Sequence, residues 1–382
     1  MNRNTDIYEL ALKAHGHPDL DVKQLIRQQQ GLQLAVQKLP LWAGTEGIEY
    51  PHHLSLEQCS SQLTASYKAT LLSSMAVKDR MADLTGGFGV DAAIMGRLFT
   101  HLTFVEQDAE LCRLARHNLP LLGVNRMDVI NSDCLDIIPT LLHQNLIYID
   151  PARRDKNGRR TFAISDCTPD VSALNKQLLE KADSVMIKLS PMLDISTAMQ
   201  QLEGVAQIHI VSVQGECKEI LIILQPQREP SPQIVCVDIT REATRLFSFT
   251  RQQEQEARCT YTQELGDYLY EPNASIMKAG CFRSLSQAYD LQQLHPNSHL
   301  YTSANPVPDF PGRIFKVEAV KTLSKADIRE LRDLKKANIT LRNFPGSVAE
   351  LRKRLHLADG GDTYLFATTL ADNRRVIILC RK

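Results

Sequence analysis

The chain has 382 residues, 43% hydrophobic and 23% charged, the composition of an ordinary globular protein rather than a disordered or membrane-embedded one. At roughly 100–200 residues per domain it holds more than one compact unit. Its 44 basic and 44 acidic residues cancel to a formal net charge of zero, which excludes a wholly basic nucleic-acid binder but allows asymmetry between domains.

The opening stretch, MNRNTDIYELALKAHG, lacks the apolar core of a signal peptide. No run of about 18 apolar residues follows, so a cytoplasmic protein with no membrane partner is expected. Residues 1–75 carry helical spacing (Val22, Leu25, Ile26, Leu32, Leu34, Ala35, Leu39) broken at Pro40 and around Gly44 and Gly47, and read as a helical N-terminal cap. From 76 to 225, strand-like runs (RMADL, HLTFVE, MDVIN, LIYID, SVMIKLS, IHIVSV, EILIIL) alternate with helical ones, the pattern of βαβ units on a mostly parallel sheet.

LQPQREPSPQ reads as a linker. Residues 226–311 form a middle α/β segment, ferredoxin-like in one reading, with a hairpin of IVCVDI against RLFSFT and helices near NASIMKAG and RSLSQAYDLQQL. No site is assigned there. Pro306, Pro308 and Pro311 mark a further boundary. Residues 312–382 form a small α/β domain: strand IFKVEAV, a helix opening on Ser324 with Asp327 as a capping box, strand NITLRNF, a helix opening on Ser347 with Glu350, and a hairpin of DTYLFATTL with RVIILC. The nine cysteines include no CxxC pair, so neither a metal site nor a disulfide framework is expected.

The chemistry concentrates at the ends of the parallel strands, where open α/β sheets hold their ligands. DLTGGFGVDA joins a short strand to a helix, and glycine at 86, 87 and 89 lets backbone N–H groups approach a ligand; a tight turn alone would also need them. Glu106 ends the next strand, where a carboxylate accepts both ribose hydroxyls; read alone, it is equally a solvated loop acid. Asp133 ends the third strand, as an adenine contact, a helix N-cap, or both. Asp150 ends the fourth. A nicotinamide dinucleotide and S-adenosylmethionine both fit this rim. The two strands joined around Gly215 form an antiparallel pair at the sheet's end, which favours the methyltransferase topology.

DLTGGFGVD, FVEQD, NSDCLD and IYIDPARRD together resemble the class I S-adenosylmethionine-dependent methyltransferases. More narrowly, YIDPARRDKNGRR with IKLSPMLDI resembles a bacterial family of RNA methyltransferases with a C-terminal THUMP-like domain. SQLTASYKATLL and DPARR are also similar to the small-subunit ribosomal RNA guanine-N2 methyltransferases. The resemblance implies a Rossmann-like seven-stranded methyltransferase sheet, parallel with an antiparallel terminal hairpin. It implies S-adenosylmethionine as cofactor, with Asp83, Gly86, Gly87 and Gly89 around its methionine part, Glu106 on the ribose, Asp133 and Cys134 at the adenine, and Lys68 near the carboxylate unless that lysine is merely solvated.

Asp150 and Pro151 stand as the catalytic pair of that resemblance, the acid accepting hydrogen bonds from a target amine. Amino-group methyltransferases continue the motif with a second proline and an aromatic residue; here Ala152 and Arg153 replace them. Arg153 and Arg154 either hold a phosphate or stack on a splayed base, or else brace the loop through Asp155 or Asp166. Lys188, Ser190 and Pro191 line the substrate side in the functional reading; in the structural one Lys188 reaches solvent. No Pro-Cys pair suggests a covalent cysteine route.

From Arg313 to Lys382 there are 16 Lys or Arg against 8 Asp or Glu, so a net of about +8 balances about −8 elsewhere. Such a field attracts a polyanion, although partners at i, i+4 such as Glu350 and Arg354 would give a neutralised, solvated face. The expected activity is methylation of a base nitrogen in structured RNA, rRNA or tRNA. The alternatives are a methyltransferase for a small molecule or protein, an RNA-binding protein with a vestigial cofactor site, and a nicotinamide oxidoreductase. The RNA, the atom and the oligomeric state are not specified by the sequence.

Overall fold

The computed structural model describes residues 22–153, 164–227 and 231–382. Arg154 and the first 21 residues lie outside them. The chain divides into two units, residues 1–208 with 218–232, and residues 209–217 with 233–382. No helix among the described residues is long and apolar enough to cross a membrane.

In the first unit the strands are β1 (Arg80–Asp83), β2 (His101–Glu106), β3 (Met127–Asn131), β4 (Gln144–Ile149), the two-residue β5 (Ala152–Arg153) and β6 (Cys167–Thr168), and β7 (Ala182–Leu189); of β8 (Val205–Val213) and β9 (Glu216–Leu224), residues 205–208 and 218–224 belong to it. Within this unit the strands of the main sheet follow the order β9-β7-β4-β1-β2-β3. β1 pairs in parallel with both β2 and β4, and β4 with β7, whereas β9 runs antiparallel to β7. This is the expected α/β methyltransferase architecture. The chain steps outward from β1 in one direction and from β4 in the other, which opens a crevice at their carboxyl ends.

The N-terminal helices Val22–Lys38, Pro40–Gly44, His53–Gln58 and Gln62–Leu71 do not form a core of their own. Ala35, Leu39, Trp42, Leu56 and Ala65 are buried in one cluster with Met81, Phe88, Phe104 and Tyr148 of the sheet and its glycine turn. Helix Gln62–Leu71 is capped by Ser61, whose hydroxyl accepts from the Thr64 N–H at 3.2 Å.

The second unit contains β10 (Gln233–Ile239) paired antiparallel with β11 (Thr244–Phe249), as the alternation of IVCVDI and RLFSFT implies. Its main sheet has seven strands: β12 (Tyr268–Pro272), β13 (Gln292–Gln293), β14 (Tyr301–Ser303), β15 (Gly312–Lys321), β16 (Asn338–Arg342), β17 (Thr363–Thr369) and β18 (Arg375–Arg381), in the order β13-β14-β12-β15-β18-β17-β16. The proline-rich stretch before Gly312 therefore separates no sheets, because β12 pairs with β15 across it, Tyr268 level with Lys316.

Alternation along β17 and β18 gives this sheet two buried faces. Phe366 and Ile378 enter one cluster with Leu269 and Phe315, while Leu365, Ala367 and Ile377 enter another with Leu331, Leu351 and Leu355 of the two C-terminal helices. The helix Val348–Leu355 opens with a complete capping box between Ser347 and Glu350. Lys325–Arg332 does not: Ser324 accepts the Asp327 N–H, but the shorter Asp327 side chain accepts from the Thr322 N–H at 2.8 Å instead of reaching back to Ser324.

Candidate active site

A cavity of about 560 Å³ lies at the carboxyl edge of the first unit's sheet, within the range of about 300–1,000 Å³ usual for small-molecule sites. The turn after β1 forms its floor. The Gly86 N–H donates to Val105 O at 2.9 Å, and a Cβ at Gly86 would stand 2.1 Å from the Phe104 ring, so the turn can sit this close to β2 only with glycine. Gly89 adopts φ +81° as it leads into the helix Val90–Gly96, a conformation costly for other residues.

At the end of β2, Glu106 accepts the Gly87 N–H at 2.7 Å and the Asp108 N–H at 2.9 Å, one on each oxygen. Asp133 accepts the Leu135 N–H at 2.9 Å as an N-cap and the Gln107 amide at 2.8 Å, and it lines the cavity as well. Thr85 Oγ1 accepts the Asp150 N–H at 2.7 Å, which ties the end of β4 to the glycine turn. Asp83 is buried and accepts the Thr85 N–H at 3.1 Å. Burial, with Asp91, Asp150 and Glu106 nearby, pushes its carboxyl well above the usual range despite that hydrogen bond.

Strand alternation decides which side chains meet beside this cavity. Tyr148 on β4 stands level with Met186 on β7, and Lys188, two residues on, stands level with Leu221 on β9. Residues two apart share a face, so Tyr148, Asp150, Lys188 and Glu219 project to one side of the sheet. Because β9 runs antiparallel, its beginning rather than its end reaches the carboxyl edge, and this brings Glu219 there. Helix Gln62–Leu71 brings Lys68 to that face, and helix Val90–Gly96 brings Asp91.

These groups form a continuous network. Lys68, fully buried, lies 2.8 Å from Glu219 and 3.1 Å from Asp91, and donates to Ser60 Oγ at 3.3 Å. Ser60 donates to Asp91 Oδ2 at 2.6 Å, and the Tyr148 hydroxyl donates to the same oxygen at 2.8 Å. Lys188 donates to Ser60 Oγ at 3.2 Å and forms an ion pair with Asp150 Oδ2. Burial alone would raise the Asp91 carboxyl, yet Lys68 and Lys188, with the Ser60 and Tyr148 hydroxyls, bring it below the usual range. Glu219 is the weaker acid of the two, since there burial outweighs both lysines. Burial pulls Lys188 down, but Asp150, Asp91 and Glu219 overcome it and hold the ammonium protonated.

Of the residues expected from sequence, Asp83, Gly86, Gly87, Gly89, Glu106, Asp133, Cys134 and Asp150 all line the one cavity. Pro151 is buried beside it. Lys68 is not a lining residue, its ammonium being committed to Asp91 and Glu219. Lys188 turns inward to Asp150 rather than to solvent. Ser190 accepts the Met192 N–H at 3.3 Å, and Ser190 and Pro191 are half-buried past β7. Arg153 belongs to β5, paired with Cys167 on β6; Arg154 falls outside the described residues. Sequence reasoning did not single out Ser60, Asp91, Tyr148 or Glu219. An acid in the apolar helix VDAAIMG was the one local signal for Asp91; Glu219 needed the strand direction.

A ferredoxin-like domain model matches residues 268–311, and a THUMP domain-like model matches residues 312–382. A crystal structure described as that of a "putative methyltransferase" from Porphyromonas gingivalis W83 is 35% identical, covers 100% of this chain and 95% of its own, and superposes with a TM-score of 0.90. The uncharacterized S-adenosylmethionine-dependent methyltransferases Rv3037c and MT3122, from two strains of Mycobacterium tuberculosis, are each 25% identical over 306 residues, 79% of this chain and 80% of theirs.

Proposed function

Because the chain belongs to the S-adenosylmethionine-dependent methyltransferases, we propose that its acceptor is a base nitrogen of structured RNA, rRNA or tRNA. The site suits the cofactor: the cavity has the right size, its floor is a glycine turn, and carboxylates stand at the ends of β2 and β3. Glu106 would take the ribose hydroxyls on its remaining lone pairs, Asp133 and the backbone at Cys134 the adenine, and the turn from Asp83 to Gly89 the methionine part. S-adenosylmethionine supplies a methyl group already activated by its sulfonium, so positioning can provide most of the rate, roughly 7–11 kcal/mol of effective molarity. Asp150, at the cavity wall, would accept an N–H of the target amine and so aim its lone pair.

The observation that carries the RNA half of this reading is the basic surface of the two C-terminal helices and of the turn after the first of them. Lys325, Arg329, Lys335, Lys336, Lys353 and Arg354 are exposed and have no acidic partner among the described residues. Glu350, one turn before Arg354 on the same helix, accepts the Ser347 N–H of the capping box at 2.7 Å. The two helices are linked where Arg332 donates to the Arg354 carbonyl at 3.1 Å. Unpaired cations on adjacent helices fit a phosphate backbone, which rewards each by counterion release. Other basic residues of this segment, such as Arg352 with Asp359 and Arg381 with Glu318, are spent internally.

The test is transfer of tritiated methyl from S-adenosylmethionine to total RNA from a strain lacking this protein, with Asp150→Ala as control. Ribonuclease-sensitive label with the intact enzyme alone supports the reading. Label absent from RNA, with cofactor binding intact, would move the acceptor to a protein or small molecule.

A further inference from the structure

We infer that Lys188 is a positioning residue for the methyl acceptor: its ammonium occupies one oxygen of Asp150 and leaves the other, toward the cavity, as the single landing point for an acceptor N–H. The inference deepens the reading of Asp150 given above and rests on it. Lys188 pairs with Asp150 Oδ2. Asp150 Oδ1 accepts no hydrogen bond among the described residues, and Asp150 lines the cavity with its side chain 35% exposed, against 13% for Lys188.

What holds Lys188 is itself fixed. Its second partner, Ser60 Oγ at 3.2 Å, is committed to Asp91 at 2.6 Å; Asp91 is gripped by Tyr148 and Lys68, and Lys68 by Glu219. An ammonium tied at both ends cannot swing to follow a ligand. It therefore sets the angle of the Asp150 carboxylate before any acceptor arrives, which is the preorganisation that positioning catalysis needs.

A consequence for specificity follows. The free oxygen offers lone pairs only, so an acceptor nitrogen that carries hydrogen, such as an exocyclic amine, is favoured, whereas a thiolate, carboxylate or hydrogen-free ring nitrogen meets repulsion. In the transfer, the amine lone pair forms the new N–C bond, the carbon–sulfur pair stays with sulfur, and the amine releases one proton to Asp150 Oδ1 and thence to water. Charge and atoms balance with no further reactant.

Two measurements on the full chain test this. In protein labelled with ¹⁵N-lysine, the buried Lys188 ammonium resonance, assigned by its loss in Lys188→Arg, should shift on Asp150→Asn; an unmoved resonance overturns the inference whatever the acceptor. In transfer from tritiated S-adenosylmethionine to total RNA from a strain lacking the protein, Lys188→Met should lower kcat about 10–100-fold while KM for the cofactor stays within about twofold, and Lys188→Arg should recover most of the loss. A Lys188→Met enzyme with undiminished kcat, or one impaired only in cofactor KM, overturns it. If the wild type labels no RNA, the RNA reading fails, and the ammonium resonance still decides the Lys188–Asp150 pairing.

Discussion

Lys68 and Lys353 both sit on short helices, yet one is fully buried between two carboxylates and the other is exposed and forms no ion pair among the described residues. The same contrast runs through their surroundings. Around the cavity, Lys68, Lys188, Asp91, Glu219 and Asp150 satisfy one another at close range, where salt screens little and geometry is over-determined. On the C-terminal helices, Lys325, Arg329, Lys353 and Arg354 keep their charge for solvent. The first arrangement holds atoms still; the second supplies a field that a polyanion neutralises. Removing a charge should therefore cost stability or kcat in the first region, independently of salt, and affinity in the second, with strong salt dependence.

The largest effect is expected from Lys68→Met, which strands Asp91 and Glu219 in a buried site and should lower stability by about 3–5 kcal/mol. Urea titration at low and high salt checks it; a loss abolished by salt would place the pair effectively at the surface. Next comes Asp150→Ala, which should leave cofactor affinity by calorimetry intact while reducing kcat about 10²–10³-fold, as for loss of one preorganised polar group. A drop in cofactor affinity instead would put Asp150 on the cofactor side of the cavity.

Replacing Lys325, Arg329, Lys353 and Arg354 together by Gln should weaken RNA binding at least about tenfold near physiological salt and flatten the slope of log K against log salt by roughly 0.7–0.9 for each phosphate left unneutralised. Cofactor binding should not change. An unchanged slope would show that these charges only solvate the helices. The smallest effect separates the two helix starts: Ser347→Ala should cost about 1 kcal/mol, within the usual range of roughly 0.5–2 for an N-cap, and Ser324→Ala less, because only Ser347 closes a reciprocal box. Thermal denaturation of the two variants side by side measures the difference.

How far the sequence reaches follows the same division. Gly86, Gly87, Gly89, Glu106, Asp133 and Asp150 were legible because each sits at a strand end within a local pattern, and parallel strands put all their carboxyl ends on one edge. Ser60, Glu219 and the pairing of Lys68 with Glu219 were not, because these groups arrive from a loop and a helix before the first strand and from an antiparallel strand, 151 residues apart in the case of Lys68 and Glu219. Nothing in SYKAT distinguishes a buried lysine from a solvated one until the strand that meets it is known. In the second unit the β10–β11 and β17–β18 hairpins and the two C-terminal helices were legible from alternation and capping, but the helix Arg251–Glu256, the short pair β13–β14 and the pairing of β12 with β15 across the prolines were not, since inter-strand pairing leaves no local mark.

We propose that these residues serve methylation of an RNA base nitrogen through Asp150. Mass spectrometry of nucleosides from total RNA tests it most directly, in a strain lacking the protein and in the same strain supplied with wild type or Asp150→Ala. One N-methylated nucleoside should disappear in the deletion, return with the wild type and stay absent with Asp150→Ala. An unaltered nucleoside profile in the deletion strain, or full restoration by Asp150→Ala, would contradict it.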